Sequence, residues 1–298
     1  MKDMKTLLKE WRTYEQELLN EDASPQAVDR DRFPLQLSKV SPKASKIITR
    51  SGQRDGQADD DTIDVGKGSY PVGQLKPSQS SMNIGKAMAQ ALAMIQGDMP
   101  TGGDLGAFIS NDRHIMDGHH RWVATTMVDP TQKVGGYTVD FPGTELIAVL
   151  NAITKGRLGV QQGKKGSGGF NQFEAGPIKQ TLQAYLKNGI EGKFPKTPEY
   201  VQQALEKFTG QQGPAALDAA VAKFVGNLKA VKPFTLPKGA PARPDMPVID
   251  PDKTPGAIKT AVQALEKGEV DINPPYAQTG RKFMDTGKGA QPDEEEEA

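Results

Sequence analysis

The residues with most chemistry to offer occupy nine consecutive positions, His114-Ile-Met-Asp-Gly-His-His-Arg-Trp122, which hold all three histidines of the 298-residue chain. Trp122, Val123, Thr126 and Met127 repeat at helical spacing, so a helix is predicted from near Gly118 to just before Asp129-Pro130. His119, His120 and Arg121 then fall in its first turn, where unpaired N–H groups and the positive end of the helix dipole already favour an anion. Crowding three potential cations there costs energy unless an anion offsets it. The pattern predicts a phosphate or nucleotide site built from Gly118, His119, His120 and Arg121. His119 or His120 would act as general acid or base, since imidazole titrates near neutral pH. Asp117 would orient a histidine or hold Mg²⁺. A set of His114, Asp117 and one following histidine could also hold a metal, but its spacing fits no standard zinc pattern, and no tightly bound metal is expected. The plain structural readings are that Asp117 is the N-cap and His114 a strand residue beside a turn.

These side chains need a scaffold. Gly106-Ala-Phe-Ile-Ser110 is short and β-prone, Asn111-Asp-Arg113 has turn chemistry, and His114-Ile-Met116 resumes a strand, which predicts a hairpin. His119 should face the packed side of the following helix and Arg121 should turn away from it. Upstream, Ile84, Ala87, Met88, Ala91, Leu92 and Ile95 form a 3.6-period stripe closed by Gly97; its methionines read as core filling. Downstream, Val134 to Phe141 reads as a strand, and Thr144 as the cap of a helix carrying Leu146, Ile147, Leu150 and Ile153.

Ile115-Met-Asp-Gly-His-His-Arg-Trp-Val-Ala124 resembles the phosphate-binding signature of the ParB/sulfiredoxin superfamily. Tyr70-Pro-Val-Gly-Gln-Leu-Lys-Pro-Ser-Gln79 is similar to the opening strand and loop of ParB-type domains, and the helix and hairpin follow in the family's order. The likeness spans residues 62 to 150. It implies a small mixed sheet with helices, an α+β domain, and one of several chemistries: nucleotide binding or hydrolysis on DNA, nuclease activity, phosphorylation of free serine, or repair of oxidised cysteine. Sulfiredoxin chemistry is excluded, because the position after the motif glycine is His119 and the chain has no cysteine. Partitioning proteins have Gly-Glu-Arg-Arg-like chemistry where this chain has Asp117-Gly-His-His-Arg121, which puts CTP-dependent clamping in doubt. The kinase branch uses an upstream glutamate as base, and none lies between Glu21 and Glu145.

Around this domain the chain is polar and irregular. With 36% apolar residues, 6% aromatic and 32 glycines, one modest core plus much linker is expected. Thirty-seven basic residues balance 37 acidic ones, so any contact with nucleic acid must be local. Absence of cysteine excludes disulfides and fits a cytoplasmic setting. No stretch approaches the ~20 apolar residues of a membrane span, and no secretory leader is recognisable. Residues 1–20 carry an amphipathic helix with Leu7, Leu8, Trp11, Tyr14, Leu18 and Leu19 on one face, which either docks on its own domain or serves a protein partner. Met4 to Arg12 resembles the start of many marine tailed-phage proteins, which implies a phage-encoded chain acting in the host cytoplasm or carried in the virion.

Residues 21–61 read as a polar linker, with a short strand at residues 46–49. The ParB/sulfiredoxin-like domain takes 62–154, and a glycine-rich basic loop takes 155–176. Lys155, Arg157, Lys164 and Lys165 lie among six glycines between residues 155 and 170, and could close over a phosphate-bearing ligand or remain a surface loop. Residues 177–232 predict three helices: one starting at Pro177 and ending at Gly189, one capped by Thr197 and ending at Gly210, and one from Pro214 to about Ala230. No basic recognition face stands out on them. Residues 233–298 read as a proline-rich linker, a short helix from Pro255 to Lys267, and an acidic tail.

The function expected from the sequence is a ParB-like phosphate- or nucleotide-binding protein of nucleic-acid metabolism. It would be a nuclease or NTP hydrolase that takes CTP, ATP or ADP with Mg²⁺, or nucleic acid. The alternatives are an ADP/ATP-dependent small-molecule kinase of the free-serine type and a non-enzymatic phage structural or interaction protein that keeps the fold.

Overall fold

A computed structural model describes residues 37, 40–45, 61–154, 173–192, 195–231, 239–242, 245–247 and 257–268. The N-terminal amphipathic helix, the strand at 46–49, the loop lysines and Arg157, and the acidic tail lie outside them.

Chain order begins with a short helix, α1 (Pro42–Ser45), then β1 (Val65–Pro71), a 3-10 turn (Val72–Gln74) and β2 (Lys76–Pro77). There follow α2 (Ile84–Gln96), β3 (Gly103–Ser110), β4 (His114–Asp117), α3 (His119–Val128), β5 (Lys133–Val139) and α4 (Gly143–Ala152). The remaining helices are α5 (Ala175–Asn188), α6 (Pro198–Thr209), α7 (Pro214–Ala230) and α8 (Ala257–Glu266). The strands make one mixed sheet in the order β1-β5-β3-β4-β2, so the molecule is α+β. β3 pairs antiparallel with β4 as the predicted hairpin and parallel with β5; β1 runs antiparallel to β5, and β2 parallel to β4.

Both faces of this sheet are covered, which is why β3 is nearly continuously apolar. Alternation sends Ala107, Ile109 and Ile115 to one face and Phe108 and Met116 to the other. On the first face lie α2 and α3, with Met88, Leu92, Trp122 and Met127 fully buried. α5, α6 and α7 cover these two helices and share the same core through Ile178, Leu182, Leu205 and Phe224. Their side chains also satisfy exposed helix-end carbonyls: Asn227 Nδ2 donates to Met127 O at 2.6 Å, and Lys207 Nζ to Gln96 O at 3.1 Å.

The second face is covered by α4 and by segments expected to be linkers. Leu37, Val40 and Ala44 come from the 21–61 stretch, and Ala240 and Met246 from the proline-rich stretch; all are buried with α8 residues Ala261 and Leu265. Ser41 is fixed by Glu145, which accepts from its amide and its hydroxyl. The linker reading fails at these positions because isolated apolar residues in polar sequence carry no periodicity, yet each finds a place in the core. Among the described residues no helix is long and apolar enough to cross a membrane.

Two expected caps are corrected. The N-cap of α3 is Gly118, not Asp117: β4 continues through Asp117, and the chain turns at Gly118 with φ 103°, where no side chain caps the helix. The N-cap of α4 is Pro142, not Thr144. A carboxylate from elsewhere supplies what α4 lacks, as Asp112 Oδ1 accepts from Gly143 N at 3.0 Å. The loop expected to reach residue 176 ends earlier, because α5 begins at Ala175, two residues before Pro177. Thr197 caps α6 by accepting from Tyr200 N, and Gly210 closes it, as the sequence indicates.

The Asp112 cluster yields a measurable pH dependence. Burial pushes the Asp112 carboxyl up, but His114, the Ser110 hydroxyl and the Gly143 amide outweigh it and hold the group well below the ordinary carboxylate range. His114 Nδ1 lies 3.0 Å from the same Oδ1. A depressed folded-state pKa adds stability that is fully present above the unfolded value of about 4 and declines progressively below it, as pH falls toward the folded value. The stability gap between wild type and Asp112→Asn, read from urea midpoints, should therefore be wide at about pH 7 and narrow toward about pH 3. An equal gap at both would show that the charge on Asp112 is not what matters.

Candidate functional site

The joint between β4 and α3 sits beside the sheet's centre. β4 lies between β3 and β2, so the first turn of α3 has a neighbour on each side and α2 above. Gly118 is required at the joint: its φ lies in the left-handed region, and a Cβ there would stand 3.1 Å from Ala107 Cβ.

The three motif side chains take three different directions. His119 is buried, 3% exposed, and its Nε2 accepts the Ser78 amide at 3.2 Å, on the β2 side. Ser78, itself fully buried, also donates its hydroxyl to Ile115 O, so the residue after β2 is fastened to both β4 and α3. His120 is half-buried and faces α2; its Nε2 accepts the Asn83 amide at 3.3 Å.

Arg121 leaves on the β3 side. Its Nη2 donates to Asp117 Oδ2 at 2.7 Å, and its Nη1 donates to Leu105 O. Leu105 and Gly106 form a bulge where β3 skips register against β5 between Asp104 and Ala107. The guanidinium thus serves a carbonyl that the ladder leaves unpaired. Two of its five N–H groups are used, and the side chain is 24% exposed.

The structure therefore turns His119 toward β2 and His120 toward α2, and places Arg121, with Gly118, on the β3 side. Asp117 holds Arg121 rather than a histidine. His114 turns to Asp112, so the trio of His114, Asp117 and a following histidine does not assemble. Among the described residues no group of three or more His, Cys, Asp or Glu side chains that could hold a metal ion forms.

Sequence reasoning missed the other half of the site. Asn83 caps α2 by accepting from Lys86 N at 2.8 Å, and it is also the residue whose amide meets His120. The N-terminus of α2 therefore adjoins the N-terminus of α3, with the His120 ring between them. Lys86, exposed on the first turn of α2, stands on the same end of that helix. An asparagine directly before a helical stripe is a cap signal that could have been read for Asn83. Nothing local marks Ser78, whose partners are 37 and 41 residues away.

No model of a known protein family, no curated protein and no solved structure matches the chain, so the site is interpreted from its own geometry.

Proposed function

We propose that the chain carries a ParB/sulfiredoxin-like phosphate site and acts on nucleotide or nucleic-acid phosphates, cleaving a phosphodiester or phosphoanhydride bond. The observation that carries this reading is the meeting of two helix N-termini at His120. Each end concentrates backbone N–H groups and positive dipole, and their convergence favours a polyanion. The order of strand, loop, helix, hairpin and helix also agrees with the resemblance in Ile115 to Ala124.

In this reading the phosphate lies against the first turns of α3 and α2. Lys86 adds charge at these helix ends, while Asp117 and Arg121, paired on the β3 side, brace the joint. His120 exchanges the Asn83 amide for the ligand, and its Nε2 takes the proton of the attacking water as the P–O bond breaks. His119, buried and bound to Ser78, holds the loop at residues 78–83 in place. Mg²⁺ arriving with a nucleotide would neutralise phosphate charge; Asp117, which the sequence offers for it, is engaged by Arg121.

A free-serine-type kinase gains no support, because Glu145 is engaged with Ser41 on the other face of the sheet. One observation favours a non-enzymatic interaction protein: Asp117, His119, His120 and Arg121 each already have a partner within the chain.

Calorimetric titration of CTP, ATP, ADP and short DNA with Mg²⁺ separates these readings. Wild type should bind at least one ligand, and His120→Ala should weaken it roughly tenfold. A wild-type protein that binds none would select the interaction protein.

A further inference from the structure

Resting on the phosphate reading, one feature of the fold bears on how the site is controlled. The loop at 78–83 carries both amides that meet the histidines, and its middle is held from outside. Ser80 donates its amide to Pro241 O at 2.8 Å and its hydroxyl to the same oxygen at 3.2 Å. Pro241 belongs to the proline-rich stretch, where Asp245 N donates to Ala242 O in a tight turn.

On either side of Pro241 this stretch is anchored in the core of the second face. Met246 is fully buried and Ala240 is 3% exposed, both in the second-face core. Asn151 of α4 donates from Nδ2 to Asp245 O at 3.0 Å. Val231, at the end of α7, belongs to the first-face core, and Ala240 to the second. β2 is the sheet edge on this side and has only two residues, so the loop leaving it has little ladder of its own.

We infer that residues 239–242 and 245–247 form a latch: they clamp the loop at 78–83 against α3 and thereby set the affinity of the site. The latch is separate in sequence from the motif: Pro241 O holds the site loop, and Ala240 and Met246 on either side of it lie in the second-face core. Anything that withdraws Met246 from that core frees Ser80. A freed loop no longer fixes His119 through the Ser78 amide or keeps the N-terminus of α2 beside His120, and the fraction of competent molecules falls.

Hydrogen exchange by mass spectrometry on full-length protein tests this. Met246→Ala should speed exchange over residues 78–83 roughly tenfold while the middles of α2 and α3 stay protected. Affinity for inorganic pyrophosphate with Mg²⁺ should fall several-fold in the same variant. Should Met246→Ala unfold globally, Asn151→Ala loosens the same anchor gently, because the Asn151 Oδ1 has no partner to lose. Faster exchange in 239–247 with unchanged exchange over 78–83 would overturn the latch. Faster exchange over both, in a protein whose wild type binds neither pyrophosphate nor nucleotide, would leave the clamp standing and remove the phosphate reading beneath it.

Discussion

Gly136→Ala should abolish cooperative folding. Gly136 lies in β5 between β1 and β3, opposite Gly68 on one side and Ala107 on the other. A Cβ at this position would stand 2.0 Å from Ala107 O and 2.4 Å from Ala107 N. Those atoms are backbone in the paired centre of the sheet, so no rotamer change relieves the clash. Relief requires parting β3 from β5, and with them the joint that carries the motif. Large losses come from a short list of mechanisms, and an unrelievable backbone collision in a central strand belongs on it; more than about 4 kcal/mol is expected. Gly66, in β1, is the control, since its added Cβ meets nothing within 4 Å. Gly66→Ala should be neutral or stabilise by up to about 0.5 kcal/mol. Circular dichroism and urea titration of the two variants decide the matter: a Gly136→Ala protein that melts like wild type would mean that β3 and β5 are not paired as described.

The second large effect is expected at Arg121. An exposed i,i+4 ion pair contributes only about 0.3–0.5 kcal/mol. Here both partners are mostly buried, at 24% and 20% exposure, and the guanidinium also satisfies Leu105 O in the bulge. Truncation strands a carboxylate and a carbonyl together, so Arg121→Ala should cost about 2–3 kcal/mol. Gly106 and Gly118 leave room for the fork: a Cβ on either would lie 3.4 or 3.5 Å from its nitrogens. Lysine brings the charge without the fork, so Arg121→Lys should recover only part of the stability. Equal urea midpoints for wild type, Arg121→Ala and Asp117→Asn would sink the structural account, and an Arg121→Lys protein equal to wild type would sink the fork.

How much of this was legible in the sequence depended on the range of the interaction. The hairpin, the helix stripes, Gly97, Thr197 and Gly210 are local signals, and the elements formed where those signals lay. The motif's position at the start of a helix was also readable. Its orientation was not. Gly118 rather than Asp117 caps α3 because β4 runs one residue further, and that extension is set by pairing of Asp117 with Phe108. Likewise Asp112 reaches α4 across 31 residues, and Pro241 reaches Ser80 across 161. Expecting Arg121 and the two imidazoles on one phosphate treated the first turn as one surface. It is three surfaces, because β2, α2 and β3 each claim one residue of it.

The sheet's two borders bear on how copies of this chain meet. One border is β2, which ends after two residues in Pro77, a residue with no N–H to offer a further strand. At the other, the residues entering β1 are tied down by α8, as Ile63 N donates to Leu265 O. An open border invites a neighbouring chain to add its own strand, the route by which sheets grow into aggregates. β2 thus offers no template, while β1 (Val65–Pro71) borders the sheet for seven residues, so among the described residues a neighbouring copy could extend the sheet only from β1, and crowding many copies together would press on that one side.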